Sequence, residues 1–237
     1  MAKQAEYSPM MQNYLQTKQQ YNDCILLYRL GDFYEMFFED AEEASRILDL
    51  TLTGKNCGMA ERAPMCGVPF HAVDVYVARL LQAGKKVAIC EQLTEPGGKE
   101  LVKRDVVRVI TPGTVMDSEI LEDSKSNYLC ALYFNDKMGV AFCDISTGEF
   151  VTTELLPTAV GKDLQELLVS YKPAEILANA DAMVFGDTLD CVKAGYTPKF
   201  SPYDEDHFNP KRANEKLCRQ YRVATLDGFG LGGKTRA

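Results

Sequence analysis

No stretch of the chain approaches the roughly 18 consecutive apolar residues that a membrane-spanning helix needs, so no transmembrane segment is expected. The opening residues, MAKQAEYSPMMQNYLQ, hold no apolar run of the kind a secretory signal carries, and export by that route is not expected. The eight cysteines, at 24, 57, 66, 90, 130, 143, 191 and 218, form no Cys-x-x-Cys pair. Several stand inside apolar runs such as CILLYRL and VAICEQ, where cysteine acts as a small hydrophobe. A reduced, cytoplasmic protein without a zinc site is the expectation. Histidine is scarce: only His71 and His207 are present, and no nucleophile, base and orienter can be assembled around either. Positive charge is in deficit too, with a net charge of −8. Residues 1–113 carry 13 basic and 15 acidic side chains, and residues 114–237 carry 13 and 19. Nucleic-acid affinity usually announces itself as a basic surface, so composition argues against a strong independent DNA binder.

What is present is ordinary globular material. Hydrophobic residues make up 46% and charged residues 25% of 237, enough chain for one large domain or two smaller ones. Ser8-Pro9 is a helix start, with Ser as cap and Pro at the first helical position, and Met11, Tyr14, Leu15 and Tyr21 come after it at helical spacing. CILLYRL, 24–30, reads as a buried strand closed by Gly31, with a loop after it. Helices are predicted over 38–49 and 71–82, the second capped by Gly84, and strands over 86–91 and 105–110. Beyond Thr111-Pro112-Gly113 the pattern changes. Strands at 128–134, 138–145 and 149–155 form an antiparallel meander, followed by a helix near 160–170, a strand at 174–178 and a helix near 210–221.

Three motifs compete for function. GFGLGGKT, 228–235, matches a phosphate-loop pattern, but that loop works by joining a strand to a helix whose N-terminus faces the phosphates. RVATLDGF is a poor strand and Ala237 comes too soon for a helix, so a glycine-rich loop in a chain cut from a longer one is expected. Asp144 ends a meander strand where a nuclease-like fold would hold a metal. Glu149 is near in sequence, yet the further carboxylates that such chemistry requires are not evident. GDFYEMF, 31–37, offers two readings. Alternation puts Phe33 and Glu35 on one face and Tyr34 and Met36 on the other. Either the segment is an ordinary strand end packed inward, or its aromatic and carboxylate face a ligand.

The run SPMMQNYLQTKQQYNDCILLYRLGDFYEMFFEDAEEASRILDLTLT resembles the N-terminus of the MutS family of mismatch recognition proteins. PMCGVPFHAVDVYVARLL, KVAICEQLTEP and VVRVITPGT resemble it in the same order, and the meander ending FCDISTGEF resembles that family's connector domain. The likeness spans essentially the whole chain. It implies an α/β protein: a mixed-sheet mismatch-recognition domain at 1–113, a linker at 114–127, and an RNase H-like connector domain at 128–237, cut short at its C-terminus. It also implies binding of mismatched or unpaired bases in double-stranded DNA, for mismatch repair. The family's reader is a Phe-x-Glu tripeptide, intact here as Phe33-Tyr34-Glu35, which places the chain with the bacterial-type homodimeric branch.

A mispaired step stacks poorly and kinks at lower cost than its neighbours, and an apolar wedge entering from the minor groove exploits that difference. By resemblance Phe33 is the wedge, gaining about 1–3 kcal/mol from stacking, and Glu35 hydrogen-bonds the same base. The Met65–Gly67 loop is implied to lie beside them. Lys55, Arg79, Arg104 and Arg108 are candidate phosphate contacts, Arg104 and Arg108 foremost, which position rather than specify; solvated surface charge is the other reading of all four. No catalytic residue, metal or cofactor is expected in these residues. ATP and Mg, a homodimer, and a clamp supplying most of the grip are implied for the full-length protein, with a MutL-like repair factor as partner through the connector domain. A cytoplasmic, nucleoid-associated location without membrane contact is implied. Two alternatives stay open: a nuclease-like RNase H-fold enzyme, and a protein-interaction connector module.

Overall fold

In the computed structural model, residues 6–94, 102–115 and 126–232 are described, and they divide into two compact units. Residues up to Pro112 form the first; Gly113–Val115 group with the residues after 126 as the second.

The first unit opens with helix α1 (Pro9–Gln20), whose first turn Ser8 caps by accepting the Met11 N–H at 3.4 Å. Strand β1 (Cys24–Leu30) then turns into β2 (Phe33–Phe37) through Gly31 and Asp32 alone. Gly31 has φ +62°, the positive value that a tight two-residue hairpin needs at its first turn position. The stretch after Gly31, expected as a loop, is therefore a strand. Helix α2 (Phe38–Leu48), strands β3 (Thr53–Lys55) and β4 (Ala63–Pro69), helix α3 (Val73–Gln82) and strands β5 (Lys86–Gln92) and β6 (Arg104–Ile110) complete the unit. A 3-10 turn over Phe70–Ala72 starts what was expected as one helix from 71, and Ala83 caps its end, with Gly84 (φ +79°) next. The sheet runs β3-β4-β2-β1-β5-β6, with β1 and β5 parallel and the other pairs antiparallel.

Strand alternation divides the unit's core between the two faces. Met11 and Tyr14 of α1 pack with Cys24, Leu26, Tyr28, Phe37, Ala88 and Cys90 on one face. On the other, Cys66 donates to the Ala41 carbonyl of α2, bringing that helix over the buried Met36 and Val68. At the point where β2 leaves the sheet, the Asp40 carboxylate takes its place, accepting the Leu26 N–H at 3.0 Å and pairing with Lys18 at 2.9 Å.

In the second unit, β7 (Tyr128–Phe134), β8 (Met138–Asp144) and β9 (Glu149–Leu155) form the expected antiparallel meander. Helix α4 (Val160–Tyr171) leads to β10 (Glu175–Ala178), which pairs parallel with β7; the short helix α5 (Ala180–Met183) and β11 (Phe200–Pro202), parallel to β10, come next. The order β11-β10-β7-β8-β9, three antiparallel strands extended by two parallel ones, is the RNase H-like arrangement. Val160, Leu164 and Leu168 of α4 bury one sheet face with Cys130, Leu132, Val140 and Phe142. Helix α6 (Pro210–Tyr221), with no fully buried residue, lies over Ala131, Gly139 and Ala141 on the other. No helix among the described residues is long and apolar enough to cross a membrane.

Candidate nucleic-acid interface

Directly opposed residues of neighbouring strands point to the same face, so the register fixes what surrounds Phe33 and Glu35. Phe33 lies between Leu30 and Pro69, Glu35 between Tyr28 and Gly67, and Phe37 beside Met65. All share the face that α1 covers. That cover stops short of the hairpin tip: Phe37 is buried, whereas Phe33 keeps 47% of its surface in water. Met65 and Gly67, expected in a loop, belong to β4; Gly67 pairs with Glu35, and Met65 pairs with Phe37 at the end of β2 away from the tip. A Cβ on Gly67 would stand 3.3 Å from the Tyr34 carbonyl oxygen and 3.5 Å from Glu35 Cγ, so only glycine leaves β2 undisturbed there.

The hairpin is clamped from behind. Tyr34 is buried on the opposite face, and its hydroxyl donates to Glu91 of β5. Burial first, then that bond, push the Tyr34 hydroxyl to about 12, so it stays protonated and donating to Glu91 throughout the neutral range. Arg29 lies with its guanidinium 3.9 Å from the Phe70 ring centroid and 5.4 Å from that of Tyr34, and pairs with Glu91 at 3.8 Å. Phe70 donates its N–H to the Asp32 carbonyl at 3.0 Å, and Gln92 accepts from the Gly31 N–H at 3.2 Å. The tip that exposes Phe33 is thus tied to β4 and β5 together.

The four candidate cations separate. Lys55 shares the Phe33 face, and its ammonium stands 2.5 Å from Glu35 Oε2. Arg104 shares it too, lying 5.2 Å from the Tyr28 ring centroid and donating to the Arg29 carbonyl at 2.9 Å. Arg108 does not. One extra residue, Val107, intervenes on β6 between the partners of Ile89 and Cys90, so Arg108 opposes Ile89 on the far face. Arg79 also lies on the helical side, spending its guanidinium on the Leu48 and Ile47 carbonyls at the end of α2, at 2.9 and 3.0 Å. Proximity to Phe33 therefore favours Lys55 and Arg104, a division that sequence spacing did not reveal.

In the second unit, Asp144 is fully buried and organises the turn after β8. One oxygen accepts from the Ser146 hydroxyl and N–H at 2.6 and 2.9 Å and from the Thr147 N–H at 3.3 Å; the other takes the Asn127 N–H at 3.1 Å. Burial would raise its carboxyl, but these bonds outweigh it and hold Asp144 below the usual carboxylate range. Among the described residues no group of three or more His, Cys, Asp or Glu could hold a metal. The glycine-rich GFGLGGKT begins inside a 3-10 turn over Asp227–Phe229, and the element before that turn is helix α6, not a strand; Lys234 and Thr235 lie outside the described residues.

Residues 8–119 match the family model for MutS domain I, and residues 127–237 match that for MutS domain II. The chain belongs to the MutS family. It is 49% identical over 222 residues, 92% of its length, to the DNA mismatch repair protein MutS of Acetivibrio thermocellus. It is 43% identical over 229 residues, 96% of its length, to the MutS of Lachnoclostridium phytofermentans. Against the MutS of Clostridium botulinum the identity is 57% over 148 residues, covering 62% of this chain and 16% of that protein. The matched regions make up 25% and 24% of the first two relatives, so the chain spans about a quarter of their length.

Proposed function

We propose that the first unit recognises mismatched or unpaired bases in double-stranded DNA, for mismatch repair. Phe33 enters from the minor groove and stacks on the displaced base, and Glu35 hydrogen-bonds that base. The observation that carries this reading is the half-exposed Phe33 at the tip of a clamped hairpin, with Glu35 two residues away on the same face of a MutS domain I. Stacking accepts any base, which suits a reader of many kinds of error. Arg104 flanks this face as a cation that positions the duplex, Lys55 lies on it beside Glu35, and Met65 and Gly67 form its floor. The acidic net charge fits a module that discriminates while other segments grip.

Homodimerisation, contact of the second unit with a MutL-like factor, ATP- and Mg-dependent switching, and a cytoplasmic, nucleoid-associated location belong to the same proposal for the whole gene product. The described part of GFGLGGKT opens in a 3-10 turn with no strand leading into it, whereas a phosphate loop works by joining a strand to a helix. No nucleotide role is assigned to the described residues. Asp144, bound by its own turn, gives a nuclease reading no support.

The test is Phe33→Ala in the whole gene product, titrated with matched and mismatched duplexes at one salt concentration. Loss of mismatch preference by about 1–3 kcal/mol, with the melting temperature unchanged, is the expected outcome. A mutant that melts markedly earlier would make Phe33 a packing residue instead.

A further inference from the structure

Glu35 and Lys55 come from strands that are not neighbours. Strand β4 lies between them, with Gly67 opposite Glu35 and Ala63 opposite Lys55. Lys55 reaches across β4 past the Phe37 ring, 5.9 Å from its centroid, to end 2.5 Å from Glu35 Oε2. The Glu35 side chain retains only 14% of its exposure and Lys55 32%. A carboxylate so far withdrawn from water needs a partner, and removing that partner leaves an uncompensated charge. The Lys55 hydrogen bond goes to Oε2; among the described residues none is made to Oε1.

We propose that Lys55 is a positioning residue for base reading: it compensates and orients Glu35, so that Oε1 meets the displaced base as a hydrogen-bond acceptor. This deepens the function proposed above and rests on its assignment of Glu35. The physical reason lies in the approach to DNA. A lone carboxylate beside Phe33 would be repelled by every duplex, matched or not. Paired with Lys55 it carries no net charge into the groove, yet keeps an acceptor atom free. Lys55 then acts through Glu35, which differs from the generic phosphate contact its charge suggests.

A double-mutant cycle in the whole gene product separates the two roles. The quantity read is the ratio of mismatched- to matched-duplex affinity at fixed salt. Lys55→Met is expected to lower that ratio roughly tenfold, within the range for coupled contact pairs. The same change in a Glu35→Gln background should leave the ratio where Glu35→Gln alone has put it. Lys55→Arg should restore the ratio, which a purely structural loss would not predict. If Lys55→Met folds poorly, the Glu35→Gln/Lys55→Met pair, which removes both charges, and Lys55→Arg still decide. Equal weakening on both duplexes with the ratio unchanged, and a salt slope reduced by about 1, would make Lys55 a phosphate contact and overturn the proposal. Failure of Lys55→Arg to rescue would overturn it as well. If Glu35→Ala, which removes the acceptor that glutamine would keep, leaves the ratio at its original value, the base-reading role of Glu35 fails, and this inference with it, on a separate measurement.

Discussion

Glu35 is the residue at which charge and recognition oppose each other. Facing the phosphates of a matched duplex it gains nothing, whereas at a displaced base it gains a hydrogen bond. Glu35→Ala also releases Lys55 as an uncompensated cation. In the whole gene product, matched-duplex affinity is therefore expected to hold or rise, while mismatch preference falls. Titration of both duplexes at one salt concentration decides it, since the comparison has no meaning otherwise. Equal weakening on both would leave Glu35 as a carboxylate that organises the hairpin. Asp144 shows the contrast: a buried carboxylate that turns its capacity to Ser146 and Thr147 of its own turn and to Asn127 has none left for chemistry. Alternation alone told that Phe33 and Glu35 share a face. It could not tell that Lys55 joins them, because that depends on the register of three strands whose pairing skips along the chain.

The elements that were legible are those with a clean period. α1, α2, the α3 region, the meander, α4 and α6 announce themselves through caps and apolar spacing. β4 does not. Its APMCGVP carries two prolines and a glycine, residues depleted in strands, and nothing in that composition predicts a place between β2 and β3. β3, at three residues, and β11, also three, are too short to show alternation. α5 is one turn, held by Asn179 accepting the Ala182 N–H at 3.2 Å. β4 nevertheless shapes the interface, because Gly67 lets β2 lie flat beside it. Gly67→Ala would press a methyl against the Tyr34 carbonyl at 3.3 Å, backbone that yields only by shifting β2. A loss of about 1–3 kcal/mol in stability is expected, with reduced mismatch preference as Glu35 is displaced. Thermal melting and the duplex titration together check this; an unchanged melt would mean that the hairpin tolerates movement and that its clamp contributes little to rigidity.

At the scale of the whole molecule, two cores formed by separate stretches of sequence imply two units that fold on their own. The junction is less symmetrical than the change in pattern at Thr111-Pro112-Gly113 suggests. A Cβ on Gly113 would collide with Leu129 at 2.8 Å and meet Glu175 at 3.2 Å, so the chain there already packs against the second sheet. Val115 is 3% exposed. The expected boundaries place Gly113 in the first domain and Val115 in the linker, yet in packing both belong to the second unit. A piece comprising residues 113–237 should therefore melt higher than one comprising 126–237. The difference expected from covering Val115 alone is about 1.5–3 kcal/mol, with the close seat of Gly113 adding to it. The piece ending at Pro112 should fold without either. Circular dichroism melts of the three pieces measure this directly. Equal stability of the two C-terminal pieces would show that Gly113–Val115 merely lie on the second sheet, and independent melting of the first unit would stand or fall on its own curve.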